Sequence, residues 1–349
     1  KDGDELISYV ENHRKMGKCY LFLDEVQVLD GWQDACKTLR LYDNSIFITG
    51  SNSKLLSSEF TKELSGRYVS FRIRPFVYKE ILEYAKELNK EVSVTDYLVW
   101  GGFPKRFEFN SLEAQRIYLN DLDDTIVIND LIRRYKIRKE SLFKSLVNYI
   151  LRSNSRIFSA KSICDYIKRE HESCSVNTIM KYVDHLQEAY IIESVKQYST
   201  KTKRELSYYA KIYNADVAFN SIRCLDNRFD LTHNLENIIY NELCGRDFSV
   251  DVGVVEYCYK DAEKKSKRTQ LEIDFVANKG SKKYYIQSAL TVADKEKREQ
   301  EVRSLNRVGD SFKKIVVVKD NIIPWHDDDG IFYIGIEQFL LDENAMDCL

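Results

Sequence analysis

The chain has 349 residues, of which 44% are hydrophobic and 31% are charged, and its formal net charge is −2. This composition is typical of a globular protein of about two or three domains. The small charge excludes recruitment of nucleic acid by a global field, so any such contact must be a local patch. No apolar run approaches the roughly 20 residues that span a bilayer, and we expect no membrane partner. The eight cysteines form no C-x-x-C pair, which argues against a zinc site and indicates reduced thiols in a cytoplasmic protein.

Short apolar strands alternate with helices over residues 1–75, the first predicted domain. Apolar spacing predicts helices over 4–15, 31–41 and 55–64, and strands over 18–23, 45–49 and 69–73. This order is typical of an α/β sheet, in which ligands bind beyond the carboxyl ends of the strands. Asp24, Glu25, Ser51 and Asn52 all follow strand ends, and we expect them to lie at one edge of the sheet.

The adjacent carboxylates Asp24 and Glu25 end the apolar run 20–23, which is typical of the Walker B strand of P-loop ATPases. The first carboxylate of such a pair holds the water shell of Mg²⁺, and the second polarises the attacking water. Ser51 or Asn52 has a side chain suited to orienting that water, and Arg67 supplies a cation for a γ-phosphate. The alternative stays open that the two acids only end a strand and that Arg67 makes a structural ion pair.

The partner motif of Walker B is absent from the sequence. No G-x-x-x-x-G-K-[ST] phosphate loop occurs in the 349 residues. The backbone N–H groups and the lysine of that loop supply most of the phosphate binding. We therefore expect the chain as printed to bind ATP and Mg²⁺ weakly or not at all and to have no measurable ATPase activity.

Four segments of the chain follow one another at close spacing, in the order that one family of ATPases shows. They are residues 21–27, 48–53, 64–67 and 73–76. With them the chain resembles the bacterial and archaeal AAA-type ATPases fused to a C-terminal DUF4143 region. The resemblance implies a multidomain α/β fold with three parts. These are a truncated ASCE P-loop ATPase core (a parallel sheet with flanking helices), a winged helix, and a restriction-endonuclease-like α/β domain.

The same resemblance assigns roles to residues. It implies that the first strand and the phosphate loop precede Lys1 and that Asp24 serves Mg²⁺ through water. Glu25 would serve the attacking water, Ser51 or Asn52 would act as a sensor, and Arg67 would act as an arginine finger.

Two further parts are predicted in the middle of the chain, a helical lid region over 76–138 and a winged helix over 139–218. The second has helical spacing over 142–151, 160–168 and 176–188, then strands over 191–198 and 208–212. Its basic residues gather on the turn between the strands, at Lys201, Lys203 and Arg204, where we expect DNA contact if the domain binds DNA. A winged helix used for packing or protein contact stays open as the alternative.

Residues 219–349 form the last predicted domain, which is nuclease-like. Helices are predicted over 235–243 and 294–306, and strands over 254–259, 271–277, 284–290 and 314–318. Metal-dependent nucleases of this type need acids that hold the metal and a lysine that stabilises charge. Glu236, Asp274 and Gln287 stand at the acid positions, but Gln287 has no charge and Ala289 stands where the lysine is expected. We therefore expect a degenerate, inactive nuclease site.

These observations predict an ATP-binding and ATP-hydrolysing switch protein of the AAA type. Its phosphate loop is absent from the printed chain, and its nuclease-like tail recognises an unidentified protein partner. One alternative is a nucleic-acid-binding module without catalysis, and another is a metal-dependent nuclease. Nucleotide binding, salt-sensitive DNA retention and Mg²⁺-dependent cleavage, respectively, distinguish the three.

Overall fold

The computed structural model describes residues 2–14, 17–51, 67–169, 174–224, 229–260 and 266–347. Within these residues the chain has a mixed α/β architecture. It divides into two compact units, of which one comprises Lys1–Arg72 with Glu188–Tyr190 and the other Ile73–Gln187 with Ile191–Leu349.

The first unit is built on two parallel strands. Its elements are helix α1 (Gly3–His13), strand β1 (Tyr20–Leu23), a 3₁₀ turn (Val26–Val28), helix α2 (Trp32–Leu41) and strand β2 (Ser45–Ile48). Buried Val26, Trp32 and Cys36 form a small core, against which apolar side chains of both strands pack. Four of the predicted elements, over 4–15, 18–23, 31–41 and 45–49, are confirmed to within two residues at their ends.

The predicted strand over 69–73 is wrong. This segment has no regular structure, and its alternating apolar residues Val69, Phe71 and Ile73 are all exposed. A segment in which apolar and polar residues alternate forms a strand only where a neighbouring strand pairs with it. No strand of the described residues pairs with residues 69–73. The predicted helix over 55–64 and the candidate sensor Asn52 lie outside the described residues.

The second unit contains most of the helices. They are α3 (Tyr78–Glu87), α4 (Val94–Trp100), α5 (Leu112–Leu122), a π-helical segment (Asp123–Asp130), α6 (Leu131–Arg134), α7 (Glu140–Arg152), α8 (Ala160–Arg169), α9 (Val176–Glu188), α10 (Ala218–Ser221), α11 (Leu231–Gly245), α12 (Lys295–Val302) and α13 (Ile336–Leu341).

Nine strands of this unit form one mixed sheet within the described residues. Its strands are β3 (Arg156–Phe158), β4 (Ile192–Ser199), β5 (Arg204–Asn214), β6 (Ser249–Lys260), β7 (Ser266–Lys279), β8 (Lys282–Ala289), β9 (Lys313–Val318), β10 (Trp325–His326) and β11 (Phe332–Gly335). Their spatial order is β10-β11-β9-β8-β7-β6-β4-β5-β3. Strand β4 runs parallel to β6, with Gln197 opposite Val252, so residues 139–218 and 219–349 contribute to the same sheet.

Helix α11 packs its apolar residues on one face of this sheet, with Ile238 and Ile239 buried in a core that also holds Phe275 of β7. The next residue, Val276, faces the opposite core. Successive residues of a strand point to opposite faces, so β7 is apolar on both sides. The buried charged residues described below therefore stand out as exceptions that need partners.

Residues 140–214 fold as helix, strand, two helices and two strands, in the order α7, β3, α8, α9, β4, β5. The hydroxyl oxygens of Ser159 and Ser175 accept the backbone N–H groups of Ser162 and Thr178, at 3.3 and 3.2 Å. These serines therefore cap the N-termini of α8 and α9. The short strand β3, which pairs with β5, was not predicted, because three residues carry too little alternation to be noticed.

Candidate functional site

The register of β1 and β2 places two polar side chains at the same edge of the first unit. The strands are parallel, with Leu23 opposite Ile48, and the backbone N–H of Thr49 donates to the carbonyl of Leu23 at 2.9 Å. Asp24 and Thr49 are therefore the equivalent first residues after each strand. The Thr49 hydroxyl donates a hydrogen bond to the Asp24 carboxylate.

A second carboxylate–hydroxyl pair lies beside the first. Ser51 Oγ donates to Glu25 Oε2 at 3.2 Å, which gives this edge two carboxylates, each in contact with a hydroxyl. Glu25 has a positive φ of 48°, a conformation that is costly for a residue other than glycine and that clusters at functional sites. Carboxylate and hydroxyl oxygens are suitable ligands for Mg²⁺ and its water shell, so the residues fit the metal that the sequence analysis expects.

Thr49 is the residue of this edge that the sequence analysis did not single out. The sequence could have indicated it, because Thr49 directly follows the strand 45–48, just as Asp24 directly follows the strand 20–23. Arg67, by contrast, is exposed, and none of the described contacts joins it to Asp24 or Glu25. Its role as an arginine finger stays a prediction.

A second cluster of charged residues lies in the larger unit, around Lys211 of β5. Lys211 is buried, and its Nζ lies 2.6 Å from Glu236 Oε1 and 2.7 Å from Glu272 Oε1. The Tyr213 hydroxyl donates to the same Glu236 oxygen at 2.8 Å. The cluster therefore joins α11, β5 and β7 through one ammonium group.

Of the predicted nuclease-like residues, Glu236 contacts this ammonium and Asp274 lies near enough to raise its pKa, whereas Gln287 contacts Asp274. Asp274 Oδ2 accepts the backbone N–H and the hydroxyl of Ser288, at 2.8 and 2.6 Å. Gln287 Oε1 accepts the backbone N–H of Asp274 at 3.4 Å. Among the described residues, no group of three or more His, Cys, Asp or Glu side chains is arranged to hold a metal ion. Lys211 instead supplies the positive charge beside these carboxylates.

Burial and charge shift the pKa values of the cluster. Burial, followed by the nearby Asp274 carboxylate, raises the pKa of Glu236 from 4.5 to about 8. Burial alone would lower the pKa of Lys211, but the carboxylates of Glu236, Asp274 and Glu272 outweigh it and raise that pKa above its usual value. Lys211 is therefore firmly charged, whereas Glu236 keeps its proton until the pH approaches about 8.

Lys211 and Glu272 were missed by the sequence analysis, which expected a lysine only at the position of Ala289. The ammonium is instead that of Lys211 on β5, which lies 61 residues before Glu272 in the chain. No short motif could indicate this contact.

The basic turn between β4 and β5 is the third predicted site. Lys201 and Lys203 of this turn and Arg204, the first residue of β5, are all exposed. The adjacent Glu205 is engaged by Lys196, whose Nζ lies 2.8 Å from Glu205 Oε2. The turn and the start of β5 therefore present three cations to solvent.

No helix in the described ranges is long and apolar enough to cross a membrane.

Comparison with known proteins identifies two matched regions. The family model described as "AAA domain" matches residues 1–82, which include the edge formed by Asp24 and Thr49. A second model, described as "Domain of unknown function (DUF8612)", matches residues 91–225. The start of the chain is thus AAA-like, and the region after it matches DUF8612.

Two curated relatives match almost the whole chain. An uncharacterized protein of Haemophilus influenzae is 31% identical over 330 residues, which cover 93% of this chain and 78% of the relative. An uncharacterized protein of Methanocaldococcus jannaschii is 28% identical over 335 residues, which cover 93% of this chain and 71% of the relative.

Two solved structures are more distant. A Walker-type ATPase of Pyrococcus abyssi is 15% identical, with a TM-score of 0.39 over 63% of this chain and 66% of its own. Protein VC1899 of Vibrio cholerae is 14% identical, with a TM-score of 0.22 over 98% of this chain and 93% of its own. Likenesses this weak do not bear on the function of this chain.

Proposed function

We propose that this chain, which belongs to the same protein family as the Haemophilus influenzae protein, carries the Mg²⁺-binding and water-activating side of an AAA-type ATPase site. The observation that carries the proposal is the pairing of Asp24 with Thr49 and of Glu25 with Ser51 at the carboxyl ends of two parallel strands. Ligands of α/β sheets bind at this edge, and residues 1–82 match an AAA domain.

Each residue has a distinct role in this proposal. Asp24, oriented by the Thr49 hydroxyl, holds the water shell of Mg²⁺. Glu25, oriented by Ser51, polarises the water that attacks the γ-phosphate. The negative charge of both side chains suits a site whose phosphates are bound mainly by a separate phosphate loop, which the printed sequence does not contain.

Calorimetry with Mg-ATP tests the proposal. We expect no measurable binding heat from the 349-residue chain and clear binding by a longer polypeptide in which a G-x-x-x-x-G-K-[ST] phosphate loop precedes Lys1. Asp24→Asn in the longer polypeptide should weaken the Mg²⁺-dependent part of the binding. Tight binding of Mg-ATP by the printed chain, or none by the longer one, would contradict the proposal.

A second candidate function is DNA binding by residues 139–218. The order of α7, β3, α8, α9, β4 and β5 is that of a winged helix, and the turn that corresponds to the wing presents Lys201, Lys203 and Arg204 to solvent. Phosphate contacts by such cations supply affinity without sequence preference. The DUF4143 assignment of residues 219–349, and their use in recognising a protein partner, stay predictions from the sequence.

We expect duplex DNA to bind the chain at low salt and to dissociate as salt rises, because phosphate contacts release counterions. Replacing Lys201, Lys203 and Arg204 together by alanine should reduce the slope of log affinity against log salt by about 3. Fluorescence anisotropy over a salt series measures the slope, and Lys144→Ala on α7, which also removes an exposed lysine, is the matched control. The idea fails if no DNA binds at low salt or if the triple variant behaves like the control.

A further inference from the structure

Two cysteine sulfurs lie in contact in the larger unit. Cys164 lies in α8 and is buried, whereas Cys174 precedes α9 and is partly exposed. The two Sγ atoms are 3.1 Å apart, and the Cys164 thiol also lies 3.3 Å from the carbonyl oxygen of Cys174. Both are free thiols. A disulfide bond, at about 2.05 Å, requires the sulfurs to approach by only about 1 Å more.

We infer that Cys164 and Cys174 form a redox-sensitive pair, which a peroxide converts into an intramolecular disulfide that links α8 to the start of α9. This inference is independent of the proposed ATPase and DNA-binding functions. Both cysteines lie within residues 139–218, but neither is among the residues that the two proposed functions use, so the inference assigns them a separate modification site.

The chemistry balances with a peroxide as the oxidant. The sulfur of Cys174, the more accessible thiol, attacks one peroxide oxygen, the O–O bond breaks, and a sulfenic acid and water form. The sulfur of Cys164 then attacks the sulfenic sulfur, the S–S bond forms, and the hydroxyl group leaves as a second water. Two thiols are oxidised, one peroxide is reduced, and the two thiol protons leave in the two waters.

The surroundings of Cys174 set the pH dependence of the first step. Burial, together with the contact with Cys164, raises the pKa of the Cys174 thiol to about 11, although the positive charges of Lys168 and Lys139 act in the opposite direction. Because the thiolate is the nucleophile, we expect oxidation to be slow at neutral pH and to accelerate as pH rises.

Peptide mapping of the 349-residue chain under non-reducing conditions, after treatment with hydrogen peroxide, tests the inference. We expect a cross-linked peptide that contains Cys164 and Cys174, two hydrogens lighter than the separate peptides and restored by dithiothreitol. The thermal midpoint of unfolding should rise by several degrees, because the bridge restricts the unfolded chain. Cys258→Ser, which removes an exposed thiol elsewhere, should form the same bridge at the same rate.

Cys164→Ser and Cys174→Ser should each abolish the cross-link and the rise in midpoint. If either variant fails to fold, the map of the unsubstituted chain alone decides the matter. Separate alkylation of the two thiols after peroxide treatment would overturn the inference, and so would bridges that join Cys164 or Cys174 to other cysteines.

Discussion

Replacing Lys211 by methionine is expected to lower the free energy of unfolding at pH 8 by about 3–5 kcal/mol, the usual cost of removing one partner from a buried ion pair. The ammonium contacts Glu236 and Glu272 directly and also balances the charge of Asp274. Methionine fills a similar volume without charge. The loss therefore reports the electrostatic role of Lys211 rather than its packing.

The matched control is Lys196→Met. Lys196 makes one close ion pair, 2.8 Å from Glu205, but its side chain is 64% exposed, whereas that of Lys211 is 5% exposed. Exposed pairs contribute about 0–1 kcal/mol, so the control should lose little. Chemical denaturation of both variants measures the difference, and similar small losses in both would show that the buried cluster has no special role in stability.

The pH dependence gives the Lys211 experiment a second readout. The pKa of Glu236 is raised in the folded state from 4.5 to about 8, so the folded chain binds a proton that the unfolded chain has released. The raised pKa of Glu236 therefore removes no stability below about pH 4.5, and the stability that it removes grows as pH rises towards about 8. Without Lys211 the pKa of Glu236 should rise further, and we expect Lys211→Met to lose more stability at pH 8 than at pH 5.

Local sequence patterns predicted the first unit well, because its elements are short and bounded by polar residues. The strands that precede Asp24 and Thr49 each end where the apolar run ends, and parallel pairing then brings the following residues to one edge. The same reasoning failed for residues 69–73, since alternation cannot reveal whether a neighbouring strand is present to pair with the segment.

The charged cluster of the larger unit shows where sequence reasoning ends. Glu236, Asp274 and Gln287 could be selected as nuclease-like positions, but the lysine beside them comes from β5, which no spacing rule connects to β7. The structure also adds Glu272 and Ser288, whose contacts depend on strand register. Long-range pairing of buried charges is a property of the folded sheet and has no local signal.

Glu25→Gln should lower the turnover of ATP about 10²–10⁴-fold in a polypeptide that binds Mg-ATP, because it removes the general base of the proposed site. Glutamine keeps the shape of the side chain and can still accept the hydrogen bond from Ser51, but its amide cannot take a proton from water. The dissociation constant of Mg-ATP should therefore change little while the turnover number falls. Steady-state ATPase assays and calorimetry separate the two effects.

Asp24→Asn is the informative comparison, because it alters the neighbouring carboxylate and a different step. If Asp24 holds the water shell of Mg²⁺, its loss should raise the Mg²⁺ concentration needed for half-maximal activity, an effect that excess Mg²⁺ relieves. The same excess should not rescue Glu25→Gln, since the missing group there is a base and not a metal ligand. Full turnover by Glu25→Gln, or its rescue by Mg²⁺, would show that the left-handed backbone at Glu25 and its contact with Ser51 serve the structure of the turn rather than hydrolysis.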